Sequence, residues 1–300
     1  MIFFQDYLVG RKTNYCWNNF SSLSFSFDIG VGQESALSPV LSALYLSPIL
    51  HIFEKQIQIL KIPVFILSFV DNGLFIAQNK SLTVSNSNIF CCYHIMTSLF
   101  KKFGLVIEHS KTEVFYFSRS HGTFNPLPLD LTTLEGPILW SRNMWQYLGF
   151  IYDRKLTFWQ HVDFYANKAI LTIKCMRMLG NLTRGLILTQ KKLLYRYYIL
   201  PIALYSFQIW YYNKAPLSYP LKVLRSMQRR VALWILEAFW TSPSLGIEAI
   251  ASLISIYLHI QKLNGKFHLR THSLLTNHIT RLLLEARPSV NTKAHQYLLE

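Results

Sequence analysis

Between Ile62 and Ala77 the chain places two apolar runs, Ile62–Val70 and Leu74–Ala77, around one polar break, Asp71-Asn72-Gly73. Asn and Gly both tolerate φ > 0, so the pattern predicts a β-hairpin with Asp71 at its tip. The flanking periodicity is helical. Ala36–Phe53 is an apolar run of 18 residues interrupted by Pro39, Pro48 and His51. Over 84–103, Ile89, Cys92, Ile95, Met96, Leu99 and Phe103 recur at helical spacing, and Gly104 supplies the stop. A short helix is expected over Phe3–Gly10, and strands over Leu23–Phe27 and Val114-Phe115-Tyr116-Phe117. Residues 119–137 carry Gly122, Pro126, Pro128, Gly136 and Pro137 and read as a boundary. From His161 onward the pattern is helical throughout. Val162, Tyr165, Ala169, Ile173, Met176 and Leu179 define a first helix, ended by Gly180-Asn181. Thr189 is expected to cap a second, which Pro201 kinks, and Ser218 a third over Leu221–Phe239.

Composition sharpens the picture in three ways. The chain is 51% hydrophobic and 15% aromatic, enough for a sizeable core and against disorder. Charge divides unevenly: residues 1–150 hold 10 Lys/Arg against 9 Asp/Glu, whereas 151–300 hold 20 against 6. A polyanion, if one is bound, is therefore expected in the second half. There, Lys222, Arg225 and Arg229 fall at i, i+3 and i+7 opposite apolar Leu224, Val231 and Leu236, a stripe able to follow a phosphate backbone or to serve as an ordinary wet face. The apolar runs 36–53 and 193–212 carry prolines, a histidine or an arginine, which argues against membrane spans. No cleavable signal is evident, because Gln5-Asp6 follows the first four residues at once. Cys16, Cys91, Cys92 and Cys175 form no C-x-x-C pair and read as free thiols of a reducing, intracellular setting, nuclear or cytoplasmic.

The hairpin gains meaning from its neighbours. Upstream stands Gly30-Val31-Gly32-Gln33-Glu34-Ser35-Ala36-Leu37-Ser38-Pro39. Downstream come Phe103-Gly104-Leu105-Val106-Ile107-Glu108-His109-Ser110-Lys111-Thr112-Glu113 and then Tyr147-Leu148-Gly149-Phe150. In that order and at that spacing they resemble the polymerase of LINE-type (non-LTR) retrotransposons, the fungal elements in particular. That family's pattern is Gly-Val-Pro-Gln-Gly-Ser, Phe/Tyr-x-Asp-Asp, Gly-Leu…Lys-Thr and Tyr-Leu-Gly, and the resemblance covers nearly the whole chain.

The resemblance implies RNA-templated DNA synthesis from nucleoside triphosphates, with an RNA template and a DNA primer as partners. It places Asp71 in the carboxylate set that holds Mg2+, with Asn72 at the neighbouring catalytic position. It gives Gln33 a contact to the incoming nucleotide and Lys111 a place near the triphosphate, where a plain lysine at a strand entry is the alternative. Tyr147, Leu148 and Gly149 become the primer grip. The expected fold is α+β: a partial polymerase palm over 1–120, a linker and primer-grip-like hairpin over 121–160, and a basic all-helical thumb-like region over 161–300.

Departures from the family pattern cluster at the catalytic centre. Asn72 stands where the family has a second Asp, and a neutral amide brings no charge to a hard cation. Glu34 replaces a glycine beside the polyphosphate site, and Gly32 a proline. The other metal-binding Asp has no counterpart, since Asp6 and Asp28 match neighbouring segments instead. With one carboxylate, two metals about 4 Å apart have no clamp. The expectation is a reverse transcriptase fragment truncated before the first catalytic-Asp motif and catalytically incompetent. The alternative is a non-catalytic RNA/DNA-binding remnant that uses the basic half through Lys222, Arg225 and Arg229.

Overall fold

A computed structural model describes residues 9–26, 30–31, 35–117, 144–179, 185–212 and 217–274, with 276, 278 and 281, and the backbone of short strands between 132 and 140. The chain forms two compact units, Met1–Thr112 with Pro126–Ile138 and Glu113–Asn125 with Leu139–Glu300.

In the first unit, β1 (Lys12–Thr13) pairs antiparallel with β4 (Phe25–Ser26) around the small hairpin of β2 (Cys16–Trp17) and β3 (Phe20–Ser21). The strand expected over Leu23–Phe27 is thus confined to Phe25–Ser26, with Phe27 outside the described residues. The helix expected over Phe3–Gly10 lies outside them too, except for Val9 and Gly10, which form a bend. Helix α1 (Ser38–Ile59) begins with Pro39 in its first turn, where a missing N–H costs nothing, and carries Pro48 inside. The β5 (Val64–Phe69) and β6 (Asn72–Ala77) hairpin and α2 (Leu82–Lys102) complete this core.

Ile49, Phe53 and Ile57 of α1 repeat every four residues and meet Cys92, Met96 and Leu99 of α2. The inner face of the hairpin, Val64 and Ile66 opposite Ala77 and Phe75, closes over them. Both helices end in the same way, with a left-handed residue that turns the chain back. After α2 this is Gly104 (φ 69), whose N–H bonds Lys101 O while Leu105 N–H bonds Phe100 O. After α1 a lysine takes the position: Lys61 (φ 54) bonds Gln58 O and Ile62 bonds Ile57 O. The backbone of β8 (Thr132–Thr133) and β9 (Gly136–Pro137) forms one further antiparallel pair in this unit.

In the second unit β7 (Glu113–Val114) pairs in parallel with β10 (Leu139–Trp140), so the strand expected over 114–117 is cut to its first residue. The β11 (Met144–Tyr147) and β12 (Phe150–Asp153) hairpin leads into α3 (Trp159–Met176). Asp153, itself buried, prepares that helix start: its Oδ1 accepts the Phe158 N–H at 2.6 Å and its Oδ2 the Thr157 N–H at 2.9 Å. A 3-10 turn, Arg177–Leu179, follows α3, and Gly180-Asn181 lies outside the described residues.

Helix α4 (Leu188–Leu194) starts without help from Thr189. Gln190 Oε1 instead accepts the Ile187 N–H at 3.1 Å. Pro201, expected to kink this stretch, is preceded by a widened π turn, Tyr195–Ile199, in which Leu200 N–H reaches back to Tyr195 O. A proline ring clashes with the carbonyl four residues earlier, and the wider turn relieves the crowding. Short helices α5 (Leu200–Ala203) and α6 (Phe207–Trp210) follow, then α7 (Ser218–Leu236), α8 (Ser244–Ile250) and α9 (Ile256–His272). Ser218 is the first residue of α7 and makes no side-chain cap, and Glu237 (φ 52), not Phe239, ends the helix. Val162, Ala166, Ala169 and Ile173 of α3 pack with Leu224, Met227, Val231 and Ile235 of α7 in one core.

Candidate functional site

The first hairpin turns one residue earlier than its sequence suggests. Phe69 pairs with Asn72 and Ser68 with Gly73, so Val70 and Asp71 form the two-residue turn, and Asn72 and Gly73 belong to β6. The apolar faces decide this register: Ile66 and Val64 must meet Phe75 and Ala77 above the core, and a one-residue slip would turn the whole set to the other face. The cost falls on Val70, a β-branched residue held at φ 55.

Asp71 and Asn72 are both exposed, and Asn72 Nδ2 donates to Asp71 Oδ1 at 3.0 Å. Among the described residues no three His, Cys, Asp or Glu side chains gather as a metal set. Lys111 ends a 3-10 turn, His109–Lys111, and is exposed. No hydrogen bond or ion pair joins it to Asp71. In the same turn, hydrogen bonds from Ser110 hold the Glu108 carboxyl below its ordinary value. Gln33, with Gly32 and Glu34, lies outside the described residues.

The second hairpin is built with tighter constraints. Tyr147 pairs with Phe150, leaving Leu148 (φ 49) and Gly149 (φ 77) as a turn with two positive φ values, the type I′ geometry that fits strand twist. Two tyrosines cover its backbone. Tyr165 on α3 donates to Gly149 O at 2.6 Å, and Tyr205, after α5, donates to Leu148 O at 2.9 Å. Their rings stack 4.8 Å apart. A Cβ added to Gly149 would lie 3.3 Å from Tyr205 Oη and 3.4 Å from Tyr165 Oη. The close approach to Gly149 is made by the chain's own phenols.

Beneath them sits His161, 1% exposed. Its Nδ1 accepts the Ile151 N–H at 3.2 Å, so Nε2 carries the proton and donates it to Tyr205 O at 3.0 Å. The ring stacks on Phe150 at 4.0 Å. Burial holds the imidazole below its ordinary value, an effect the bond to Tyr205 partly offsets, and the neutral ring is what both hydrogen bonds require. Sequence reasoning missed His161, Tyr205 and Asp153 and took Tyr165 for packing alone. A histidine four residues before a tyrosine on the apolar face was a usable signal. Tyr205, 57 residues from Leu148, left none.

The expected basic stripe on α7 is not uniform. Lys222 is exposed and makes no ion pair among the described residues. Burial pushes the Glu248 carboxyl above its ordinary value, an effect that its hydrogen bond with Gln228 and then the charge of Arg225 partly offset. Arg229 is committed to the loop before α8: Nη1 donates to Ser242 O at 2.8 Å and Ser244 Oγ at 2.6 Å, and Nη2 to Trp240 O at 2.5 Å. A guanidinium with three oxygens already filling its fork has little left for a phosphate. This corrects the picture of a continuous phosphate-facing row.

The chain is similar to a transposon RNA-directed DNA polymerase along almost its whole length. That relative is the probable RNA-directed DNA polymerase from transposon X-element of Drosophila melanogaster, 23% identical over 282 residues, which cover 93% of this chain and 29% of the relative. The chain therefore spans less than a third of the relative's length. No protein-family model and no solved structure matches it. No helix among the described residues is long and apolar enough to cross a membrane.

Proposed function

We propose that this chain is the palm-to-thumb stretch of a LINE-type, fungal-like retrotransposon reverse transcriptase, and that as it stands it holds an RNA template and DNA primer without extending them. In this reading β5, β6, α1 and α2 are the palm remnant, the Tyr147-Leu148-Gly149 turn is the primer grip, and the helices from α3 onward form the thumb. The observation that carries it is the hairpin tip, where one carboxylate, Asp71, accepts an amide hydrogen from Asn72 in the place where a second carboxylate would share a cation.

That donor set does not fit Mg2+. One singly charged group with an oxygen already engaged supplies neither the charge nor the count of hard oxygens the ion demands. No step of synthesis is assigned to it. Retained binding is supported by the excess of 20 Lys/Arg over 6 Asp/Glu in residues 151–300. Primer extension on a poly(rA)·oligo(dT) duplex with Mg2+ tests the catalytic half: wild type and Asp71→Ala should be equally silent. Extension that disappears in Asp71→Ala would overturn it. The binding half predicts salt-sensitive association with the same duplex, unchanged by Asp71→Ala.

A further inference from the structure

The turn between α7 and α8 is tied down through its backbone. Glu237 (φ 52) swings the chain out of α7, and its carboxylate pairs with the buried Lys191 at 2.6 Å. Ala238 N–H then donates to Leu233 O, and Ser242 N–H to Phe239 O. Arg229 closes its fork on Trp240 O, Ser242 O and Ser244 Oγ. What these bonds hold out to solvent is a pair of rings, Phe239 at 84% exposure and Trp240 at 80%.

Fold stability does not account for this display. Two large apolar side chains left in water forgo the burial that stabilises a core. Neither ring touches another ring among the described residues. Other tryptophans of the second unit are packed: Trp145 stacks on Tyr147, Trp159 lies against Tyr219, and Trp234 is buried. A stiff turn that presents bare aromatic faces suits stacking, because its backbone has little freedom left to lose on binding. Unpaired nucleic-acid bases fit such faces whatever their sequence. Charge favours the same ligand. Ala238 to Ile247 carries no acid, Glu237 is spent on Lys191, and the excess of 20 Lys/Arg over 6 Asp/Glu in residues 151–300 draws a polyanion to this unit. Those cations are spread along the unit and mark no single place. The rings do.

We propose that Phe239 and Trp240 form a stacking platform for unpaired bases, by which the second unit holds a single nucleic-acid strand. The proposal rests on the nucleic-acid reading above and gives it a place at the turn between α7 and α8.

The test is fluorescence anisotropy with the full chain across a KCl series, using labelled oligo(U), oligo(dT) and an abasic deoxyribose-phosphate strand of equal length. Phe239→Ser with Trp240→Ser should weaken binding of both base-bearing strands about tenfold or more. The slope of log K against log salt should not change, since no phosphate contact is removed. The abasic strand should bind wild type and this double variant alike, which also reports that the variant is folded. Trp17→Ser with Phe20→Ser, which removes a like pair of exposed rings from the first unit, should match wild type on every strand. If wild type binds and Phe239→Ser with Trp240→Ser binds as tightly, this site falls while the nucleic-acid reading stands, and the rings are left to an apolar protein partner. If that variant loses the abasic strand as well, the loss is not stacking and the site falls. If wild type binds none of the strands at low salt, both fall.

Discussion

Gly149→Ala tests the turn beneath the two tyrosines. Alanine at φ 77 carries a left-handed penalty of about 1 kcal/mol. Its Cβ would also sit 3.3 Å from Tyr205 Oη, so the phenol must yield by a few tenths of an ångström. That loosens its bond to Leu148 O, worth about 1 kcal/mol. The sum is a loss of about 2 kcal/mol. Leu148→Asn, one residue away, should move the other way by about 0.5 kcal/mol, because asparagine accepts φ > 0 and Asn-Gly suits this turn. Urea unfolding followed by tryptophan emission isolates the effect, since of the tryptophans only Trp17 lies in the first unit. Tyr205→Phe completes a double-mutant cycle and should cost clearly less in the Gly149→Ala background than in wild type. A Gly149→Ala loss under about 0.5 kcal/mol, or additive effects in the cycle, would refute the claim that the phenols close on this backbone.

Arg229→Ala should destabilise by about 2 kcal/mol and open residues 240–244 to limited proteolysis, while Lys222→Ala stays within about 0.5 kcal/mol of wild type; equal losses would restore the uniform stripe. His161 makes stability depend on pH. Its folded value is depressed, so its full contribution is present above the unfolded value of 6.5 and is lost as pH falls, because the unfolded chain takes up a proton the buried ring refuses. Urea midpoints across the histidine range should drop on acidification, and less steeply in His161→Gln; the slope should persist in part because His259 is depressed too. Burial pushes the Cys92 thiol up to about 11, so exposed Cys16 and Cys175 should react with a disulfide reagent first and Cys92 only on unfolding.

Local signals in the sequence translated well where the physics is local. Gly104 marks a helix end because a left-handed residue closes two hydrogen bonds within five residues of itself, and nothing distant enters. The α2 and α3 faces followed from spacing for the same reason. The first hairpin shows the limit. Asn-Gly announced a turn, but the register came from which apolar side chains meet α1 and α2, and that contest put Val70, not Asn72, at positive φ. Thr189 and Ser218 had the right chemistry for caps but sit two residues and one residue past the N-cap positions, Ile187 and Leu217. At the candidate sites periodicity told which face Arg229 occupies but not that carbonyls up to 13 residues later would claim it. The latch of Tyr165 and Tyr205 on Leu148 and Gly149 depends on chain segments brought together only by folding. For Gln33 the described residues offer no test.

The parallel pairing of Glu113–Val114 with Leu139–Trp140 carries a consequence for synthesis on the ribosome. The partner of β7 emerges 25 residues after it, a wait of about 1–5 s at ordinary elongation rates. Throughout that interval the Glu113–Val114 edge stays open and the apolar, uncharged Phe115-Tyr116-Phe117 that follows it hangs from the nascent chain. The time for which this apolar stretch waits for its partner strand is thus set by translation speed over one short stretch, and slow codons there would lengthen it.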